Sequence, residues 1–305
     1  MGSCMGFRPV SDLSFDKRMT VDDIVGRIKD GMTIGMGGWA TRRKPMALAR
    51  AIARSDLKDL TLVAPYGGPE IGILAASGKL KKLVFAFASM DQIPIEPHFK
   101  NARQAGLPVL ELDEGMAHWM LRCAAMKLPF LPTRVGIGTS IIEQPGFATV
   151  KSPFEDGEEL VAVPPLKLDI ALIHVHRSDE KGNVLVLSPD PFFDELLARA
   201  ADEVYATAEK IVSTAELDMR ANARFNLFER SVLTGVAEAP FGAHPTSAQP
   251  DYEIDMKHLK TYVASAETPE AWEAYRQQFV AVDADAYLAA VGGADAVLAS
   301  PRPVY

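Results

Sequence analysis

The sequence predicts an α/β fold: an open, mostly parallel sheet with helices on both faces. Short apolar segments recur at 32–36, 60–64, 83–87 and 107–112, with helix-like segments between them. Buried strands of a parallel sheet are near-continuous apolar runs, and their alternation with helices is the pattern of βαβ units. Each segment ends in a loop of small or polar residues, and the carboxyl ends of such strands are where these sheets bind ligands.

Composition restricts the class of protein. The chain has 305 residues, 48% of them hydrophobic, so it can bury a full core as one large domain or two smaller ones. The formal net charge of −8 argues against a nucleic-acid partner. No apolar run reaches membrane-spanning length and no secretory signal is visible, so we expect no membrane partner and a cytoplasmic location.

Cysteine and histidine usage argues against metal and disulfide chemistry. Cys4 and Cys123 are far apart, which supports neither a disulfide framework nor a zinc site and fits a reducing compartment. Cys123 lies in a helix-like segment, where a buried apolar thiol is favoured over a nucleophile. The histidines show no metal-ligand spacing with a third ligand nearby, so we predict no metal.

We divide the chain into three parts. Residues 1–18 form an N-terminal extension, part of which we interpret as a remnant of cloning. Residues 19–265 form the α/β domain, and residues 266–305 form a helical C-terminal tail. Thr20 is predicted to cap the first helix of the domain, and Gly31 to end it.

Two glycine turns follow the first two predicted strands. The first is Gly37-Gly38-Trp39-Ala40-Thr41-Arg42-Arg43-Lys44-Pro45, before a predicted helix at 46–54, and the second is Tyr66-Gly67-Gly68. Strand, glycine turn and helix is the layout that brings backbone N–H groups close to a phosphate or an oxyanion. Three cations near a helix start oppose the helix dipole, and a bound anion would offset that cost. A solvated basic turn explains the charges equally well.

The stretch 107–140 carries the residue of greatest chemical interest. A predicted strand at 107–112 leads into Asp113-Glu114-Gly115, a helix that Pro129 stops, and a second strand at 134–138. A lone carboxylate in such a turn is usually a first-turn acid that favours the helix dipole. The functional alternative is that Glu114 is a general base, since a partly desolvated carboxylate has a raised pKa.

Three neighbours of Glu114 are also assigned. Glu111 alternates with apolar residues and is expected to face the same cleft, so the choice of base between Glu111 and Glu114 stays open. Asp113 is interpreted as the cap of the following helix. His118 lies one helical turn after Glu114 and is a candidate partner for it if both face the cleft.

The second half of the chain continues the alternation of strands and helices. We predict a buried strand at 168–173, a hairpin-like turn at 178–183, a strand at 184–187, a helix at 193–206 and a strand at 210–213. His174 and His176 share one face at the end of the first of these strands, as either site residues or satisfied core residues.

Several segments, in the same order, resemble the α subunits of family I coenzyme A transferases. They are Gly37-Gly38-Trp39 with Pro45, Pro65-Tyr66-Gly67-Gly68, Pro129-Phe130-Leu131-Pro132-Thr133-Arg134, Ala171-Leu172-Ile173 with Asp179-Glu180-Lys181-Gly182-Asn183, and Glu238-Ala239-Pro240-Phe241-Gly242-Ala243-His244-Pro245. The resemblance covers roughly residues 20–260. It implies a coenzyme A thioester as substrate, no separate cofactor, and a β subunit as partner in an α2β2 heterotetramer.

Within that family, two runs resemble the α subunits of thioester hydrolases that open a ketone ring left from steroid C and D rings. These runs are Gly38-Trp39 to Arg42-Arg43-Lys44-Pro45-Met46, and Asp113-Glu114-Gly115-Met116. The resemblance implies retro-Claisen cleavage of a carbon–carbon bond with Glu114 as catalytic base, and backbone N–H groups of the glycine turns as oxyanion donors. The candidate substrate-binding residues are Gly37, Gly38, Trp39, Arg42, Arg43, Lys44, Tyr66, Gly67, Gly68, Glu111 and His118.

Two other functions compete with the hydrolase. In a transferase, the nucleophilic glutamate lies on the β subunit in a Glu-Ser-Glu-Asn-Gly type segment, which this chain lacks. That absence does not choose between the two enzymes, because the partner holds the deciding residue. A ligand sensor of related fold would need a DNA-binding module, and the first 20 residues are too short for one.

Overall fold

The computed structural model describes residues 16–154, 157–189 and 192–302. The strands are β1 (Arg18–Met19), β2 (Thr33–Met36), β3 (Leu60–Val63), β4 (Tyr66–Gly67), β5 (Leu80–Phe85), β6 (Phe87–Ala88), β7 (Val109–Glu111), β8 (Leu131–Thr133), β9 (Ala148–Lys151), β10 (Glu159–Val163), β11 (Leu168–Ser178), β12 (Val184–Leu185), β13 (Ala201–Ile211) and β14 (Gly235–Glu238). The helices are α1 (Val21–Val25), α2 (Met46–Arg54), α3 (Pro69–Ala76), α4 (Pro97–Gln104), α5 (Glu114–Ala125), α6 (Asp194–Ala200), α7 (Thr214–Leu217), α8 (Met219–Asn222), α9 (Met256–Ala264), α10 (Pro269–Tyr275), α11 (Ala284–Ala290) and α12 (Ala294–Leu298). Short 3₁₀ turns lie at Ser140–Glu143 and Ala223–Phe225, and a π-helical turn lies at Arg276–Val280.

A single large sheet dominates the described part of the chain. Its strand order is β1-β14-β13-β11-β2-β3-β5-β7, with β12 added antiparallel to β11. All the pairings along the main path are parallel. The predicted open, mostly parallel sheet is confirmed.

Helices cover both faces of this sheet. Successive residues of a strand point to opposite faces, and in β11 Leu172 belongs to one hydrophobic cluster while Ile173 belongs to another. The first cluster includes Leu48 of α2 and the side chains of α3 and α9, and the second includes Met120 of α5 and Leu197 of α6. The sheet is therefore a layer between two packed cores.

Two local predictions at the start of the domain have different outcomes. The Thr20 hydroxyl oxygen accepts a hydrogen bond from the Asp23 N–H at 3.0 Å, and the Asp23 carboxylate accepts one from the Thr20 N–H. The predicted cap is therefore confirmed, as a capping box. The prediction that Gly31 ends the helix is wrong, because α1 stops at Val25 with Gly26 as its cap. Gly31 instead occupies a left-handed turn, with φ of 80°, just before β2.

The helix predicted over 193–206 is wrong in its second half. Helix α6 ends at Ala200, and β13 begins at Ala201 and absorbs the predicted late strand as far as Ile211. Val204, Tyr205 and Thr207 favour a strand, and β13 pairs with β11 along its length and with β14 over Tyr205 to Ala208. Central pairing of this kind overrides the helix propensity of the intervening alanines.

The strand predicted at 134–138 is also wrong. Gly136 and Gly138 have φ of 94° and 78°, which an extended strand does not allow, and the segment forms turns. The strand lies just before it, at β8, and belongs to a separate antiparallel sheet of order β8-β10-β9.

Packing at the two ends of the described chain can be compared with the predicted boundaries. Residues 1–15 of the predicted extension lie outside the described residues, whereas Arg18 already pairs with Val236 of β14. The helices after residue 266 pack into the first core, where Phe279 and Tyr287 are 6% and 4% exposed. The C-terminal tail therefore shares the core of the α/β domain.

Candidate active site

Three of the predicted site segments meet at one edge of the sheet. The first glycine turn follows β2, the second follows β3, and the Asp113–Glu114 turn follows β7. Because these strands are parallel members of one sheet, their carboxyl ends lie at the same edge. The second turn is itself ordered by pairing of β4 with β6. The sheet topology therefore brings together the segments that sequence analysis singled out separately.

The glycines of the two turns allow neighbouring segments of the chain to pack in close contact. A Cβ on Gly38 would lie 2.6 Å from the Arg42 carbonyl oxygen, and Gly38 has φ of 76°. A Cβ on Gly68 would lie 1.9 Å from the carbonyl oxygen of Ala40, so the two glycine turns touch. Gly37 and Gly67 are similarly closed, against the side chains of Asp194 and Ile71. The backbone at this edge is glycine-rich because the turns leave no room for a side chain.

The N–H groups expected to hold an oxyanion are already bonded within the chain. The Gly37 N–H donates to the Leu172 carbonyl at 3.0 Å. The Gly38 N–H donates to Asp194 Oδ1 at 2.8 Å, and the Gly68 N–H donates to the Glu70 carboxylate at 3.0 Å. These three donors therefore have protein acceptors, and the oxyanion role predicted for the glycine turns is not supported for them.

Arg43 is internal. Its side chain is 1% exposed and its Nη1 lies 2.5 Å from Asp194 Oδ2, with a further hydrogen bond to the His174 carbonyl at 2.7 Å. The residue also has a left-handed φ of 51°. Arg43 therefore ties the first glycine turn to the start of α6, and its contact with substrate stays a prediction.

Lys44 is likewise internal. Its Nζ lies 2.8 Å from Glu70 Oε1, and both side chains have zero exposure. Since Glu70 also accepts from the Gly68 N–H, this ion pair joins the two glycine turns. This buried carboxylate explains how a cation is tolerated beside a helix start, and the contact of Lys44 with an anionic ligand stays a prediction.

Arg42 is the cation of this turn that stays partly exposed. Its guanidinium lies 3.3 Å from Asp91 Oδ1, at a side-chain exposure of 36%. Thr41 also donates to Asp91, which lies in the loop after β6. Arg42 is therefore the member of the basic run that keeps access to solvent beside the site.

Aromatic rings fill the space between the two glycine turns and α6. The Tyr66 ring lies 3.8 Å from Trp39 and 4.3 Å from Phe193, measured between ring centroids. Phe87 of β6 lies 5.3 Å from Tyr66, and Phe192 lies 5.5 Å from Trp39. Of the predicted substrate-binding residues, Trp39 and Tyr66 thus form one aromatic cluster with three phenylalanines.

Glu114 lies beside this aromatic cluster. It is the first residue of α5, whose cap Asp113 accepts a hydrogen bond from the Gly115 N–H at 2.7 Å, as predicted for Asp113. The Tyr66 hydroxyl donates to Glu114 Oε2 at 3.5 Å. The Glu114 side chain is exposed in the single chain. The candidate base therefore faces the glycine turns and is open to solvent on its other side.

Glu111 and His118 flank Glu114 less directly. Glu111 is exposed, and its carbonyl oxygen accepts from the Gln144 side chain at 2.7 Å. The His118 ring packs edge-on against Phe193 at 4.1 Å, and burial, followed by the charge of Arg122, lowers the pKa of His118. The expected pairing of His118 with Glu114 is absent among the described hydrogen bonds.

His174 and His176 are core residues. His174 is fully buried, bonding Thr207 at 2.8 Å and Glu209 at 2.7 Å. His176 accepts from the Leu187 N–H, so its other ring nitrogen donates to the Gln249 carbonyl, and burial lowers its pKa to about 4. Of the two interpretations left open by the sequence, the structure supports the satisfied core.

Other predictions concern cysteine, metal and membrane. Cys123 is buried and donates to the Leu128 carbonyl, and burial raises the pKa of its thiol, in agreement with the apolar interpretation. Within the described ranges, no group of three or more His, Cys, Asp or Glu residues could hold a metal ion. None of the described helices is both long and apolar enough to cross a membrane.

Sequence reasoning missed the carboxylates that hold this edge together. Asp194 binds the Gly38 N–H and Arg43, and Glu70 binds the Gly68 N–H and Lys44. The sequence could have indicated Glu70, because it is a single acid in the otherwise apolar run Pro69-Glu70-Ile71-Gly72-Ile73-Leu74. A buried acid requires a partner, and the basic run supplied one.

Comparison with known proteins assigns the family. Residues 18–223 match the family model described as coenzyme A transferase. The chain belongs to the coenzyme A transferase family. It is 44% identical to the cholesterol ring-cleaving hydrolase IpdA subunit of Rhodococcus jostii, over 90% of this chain and 96% of that one. It is 41% identical to the protein of the same name from Mycobacterium tuberculosis, over 90% and 97% of the two chains.

One protein with a similar solved structure is a transferase. Glutaconate coenzyme A-transferase from Acidaminococcus fermentans superposes with a TM-score of 0.86 at 27% identity, covering 92% of this chain and 94% of that one. The predicted coenzyme A transferase-like fold is confirmed. Identity to the hydrolase subunits exceeds identity to the transferase.

Proposed function

We propose that this chain is one subunit of a heteromeric coenzyme A-thioester hydrolase that cleaves a carbon–carbon bond in a ketone ring during steroid degradation. The observation that carries the proposal is identity of 44% across nearly the whole length of a subunit named as a cholesterol ring-cleaving hydrolase. The position of Glu114, at the ligand-binding edge of the sheet and against Tyr66, supports it as the general base.

The proposed reaction is a hydrolytic retro-Claisen cleavage. Glu114 takes a proton from water as the water oxygen attacks the ring ketone carbon. The tetrahedral adduct collapses, and the bond between that carbon and the carbon next to the thioester carbonyl breaks. The electron pair of this bond passes into a thioester enolate, which takes up a proton. The products are a carboxylic acid and a saturated carbon beside an intact thioester, and no cofactor other than the thioester substrate is required.

A second subunit is part of the proposal. A solvent-exposed carboxylate is a weak base. Desolvation of a carboxyl group raises its pKa toward the working pH and makes it a stronger base. Glu114 is exposed in the single chain, and the similar proteins are named as subunits. We therefore propose a partner subunit that covers Glu114 and completes the pocket, in an α2β2 assembly in the cytoplasm.

The alternative is a coenzyme A transferase subunit. The similarity of the whole fold to glutaconate coenzyme A-transferase favours it. In that reaction a carboxylate of the partner forms a covalent thioester with coenzyme A, and Glu114 positions the substrate. The two functions differ in whether an enzyme–coenzyme A adduct accumulates.

The experiment is performed on the chain co-purified with the product of the adjacent gene. Turnover of a cyclic β-keto thioester is followed by mass spectrometry for addition of one water. Glu114→Gln is expected to lower kcat by roughly 10²–10⁴-fold with thioester binding retained, because a general base contributes about that much. Unchanged turnover in Glu114→Gln would eliminate this residue as the base.

Glu111→Gln tests the other candidate base. Glu111 is also an exposed glutamate at this edge, but among the described contacts its side chain lacks the tyrosine partner that Glu114 has. We expect a smaller loss of kcat in Glu111→Gln than in Glu114→Gln, and a larger loss would assign the base to Glu111. A thioester adduct trapped on the partner subunit, with coenzyme A moved to a carboxylic acid acceptor, would establish the transferase instead.

A further inference from the structure

We infer that Tyr66 is a positioning residue for catalysis: its hydroxyl holds the Glu114 carboxylate in one orientation. This inference rests on the proposed function, since it assigns Tyr66 a role through the proposed base. The sequence predicts Tyr66 as a substrate-binding residue, and the inferred role adds an action on the base.

The contact is specific to one oxygen of the base. The Tyr66 hydroxyl lies 3.5 Å from Glu114 Oε2. Among the described residues, this is the one hydrogen bond made by the Glu114 side chain. A donor held at Oε2 favours one orientation of the carboxylate, in which Oε1 has no protein donor among the described residues.

Tyr66 is held rigidly enough to do this. Its side chain is 7% exposed and clamped between the Trp39 and Phe193 rings, at 3.8 and 4.3 Å. Its backbone is fixed in β4, and its carbonyl oxygen accepts from the Ala40 N–H at 3.1 Å. The hydroxyl of this packed ring is therefore a fixed point for the Glu114 carboxylate.

The clamp is itself anchored by a buried charge. Phe193 precedes Asp194, and Trp39 follows Gly38. Asp194 accepts from the Gly38 N–H and pairs with Arg43, so one carboxylate ties together the two walls that hold the tyrosine. Gly38, Trp39 and Arg43 therefore help to set the position of Tyr66, and through Tyr66 the position of the base.

The electrostatics make Tyr66 a donor at all working pH values. Burial, and then the negative charge of Glu114, raise the pKa of Tyr66 well above its usual value. The hydroxyl therefore keeps its proton and stabilises the carboxylate form of Glu114. Because a hydrogen bond to the charged form of a carboxyl group favours that form, loss of the hydroxyl should appear in the pH dependence of turnover.

The test is Tyr66→Phe in the full heteromeric enzyme, with kcat and KM measured against pH. Phenylalanine keeps the ring between Trp39 and Phe193 and removes only the hydroxyl. We expect kcat to fall about three- to tenfold, the range for an ordinary hydrogen bond, because a contact of 3.5 Å is longer than a strong charge-assisted one. The KM should change by less than about twofold. The acidic limb of the kcat profile should move to higher pH.

Tyr205→Phe is the matched control. Tyr205 is 1% exposed and donates to Glu203 at 2.7 Å, so it is another buried tyrosine bonded to a glutamate, in the core on the opposite face. Its variant should show the parent pH profile. An unmoved acidic limb in Tyr66→Phe, or an equal loss of kcat in both variants, would overturn the positioning role. Full turnover in Glu114→Gln would instead overturn the proposed function.

Discussion

Glu96 is an acid that the fold buries completely. It caps α4, accepts from the Phe99 N–H at 2.5 Å, and lies 2.6 Å from the Tyr262 hydroxyl. Burial raises its pKa from 4.5 to about 8, although the bonds from Tyr262 and Phe99 act in the opposite direction. At neutral pH the folded chain therefore keeps a proton on Glu96 that the unfolded chain releases.

The sign of the resulting pH effect follows from proton binding. Between about pH 4.5 and 8 the native state binds one more proton than the unfolded state, so stability falls as pH rises. Glu96→Gln fixes the neutral form, and it should gain up to roughly 1.4 kcal/mol per pH unit over the parent chain across this window. Urea unfolding of both chains at several pH values measures the difference.

Buried histidines do not confound that comparison, because they are present in both chains. Burial lowers the pKa of His98 to about 4, so its contribution is lost as pH falls from about 6.5, in the parent and the variant alike. A stability difference between Glu96→Gln and the parent that stays constant with pH would show that Glu96 is ionised in the native state.

Some single-residue roles could be predicted and others could not. Asp113 and Glu114 are adjacent at a strand-to-helix turn, and local sequence sets both the cap and the first helical residue. The partners of Arg43 and Lys44 are contributed by α6 and α3, through contacts that only the tertiary fold creates. The sequence therefore indicated that these cations need an anion nearby, but the charge pattern could not identify Asp194 and Glu70 as their partners.

At the scale of elements, the Lys44–Glu70 ion pair joins the turn before α2 to the first turn of α3. Lys44→Met would leave Glu70 buried without its cation, which costs about 3–5 kcal/mol of unfolding free energy. Chemical denaturation of the full chain measures this loss. A loss below about 0.5 kcal/mol, the range of a surface substitution, would contradict the buried ion pair.

The double variant separates charge from packing. In Lys44→Met with Glu70→Gln, the remaining amide oxygen can still accept from the Gly68 N–H, and no buried charge is left unpaired. We expect most of the lost stability to return, since replacing both partners of a buried pair is often close to neutral. Additive losses in the double variant would mean that the two side chains act independently.

Elements were predictable where one local pattern dominated. Helix α2 has the predicted bounds Met46–Arg54, and β2 falls within the apolar run at 32–36. The switch from α6 to β13 was missed because Ala200 and Ala201 suit a helix, and only pairing with β11 and β14 selects the strand. The strand predicted at 134–138 does not form because Gly136 and Gly138 have left-handed φ angles. The sequence alone does not show which sign of φ a glycine adopts.

At the scale of the whole molecule, the C-terminal helices complete the first core. Tyr287 of α11 lies against both α2 and the loop before α9: the Arg50 guanidinium is 3.6 Å from its ring, and His244 is 2.7 Å from its hydroxyl. Asp255 and Tyr275 bond to the two histidines of this loop and of α9. The chain after residue 266 is therefore bound to the domain by both apolar and polar contacts.

This integration predicts unequal effects for two phenylalanines. Phe279, in the π-helical turn after α10, is 6% exposed within the first core, whereas Phe154 is 79% exposed. Phe279→Ala should lower the free energy of unfolding by about 3–5 kcal/mol, because it removes a buried ring and leaves a cavity. Phe154→Ala should change it by no more than about 0.5 kcal/mol. Denaturant unfolding of the two variants, followed by probes in the sheet, makes the comparison. If the C-terminal helices were an independent tail, the sheet would unfold at the parent midpoint in Phe279→Ala; a shared core requires that its midpoint fall.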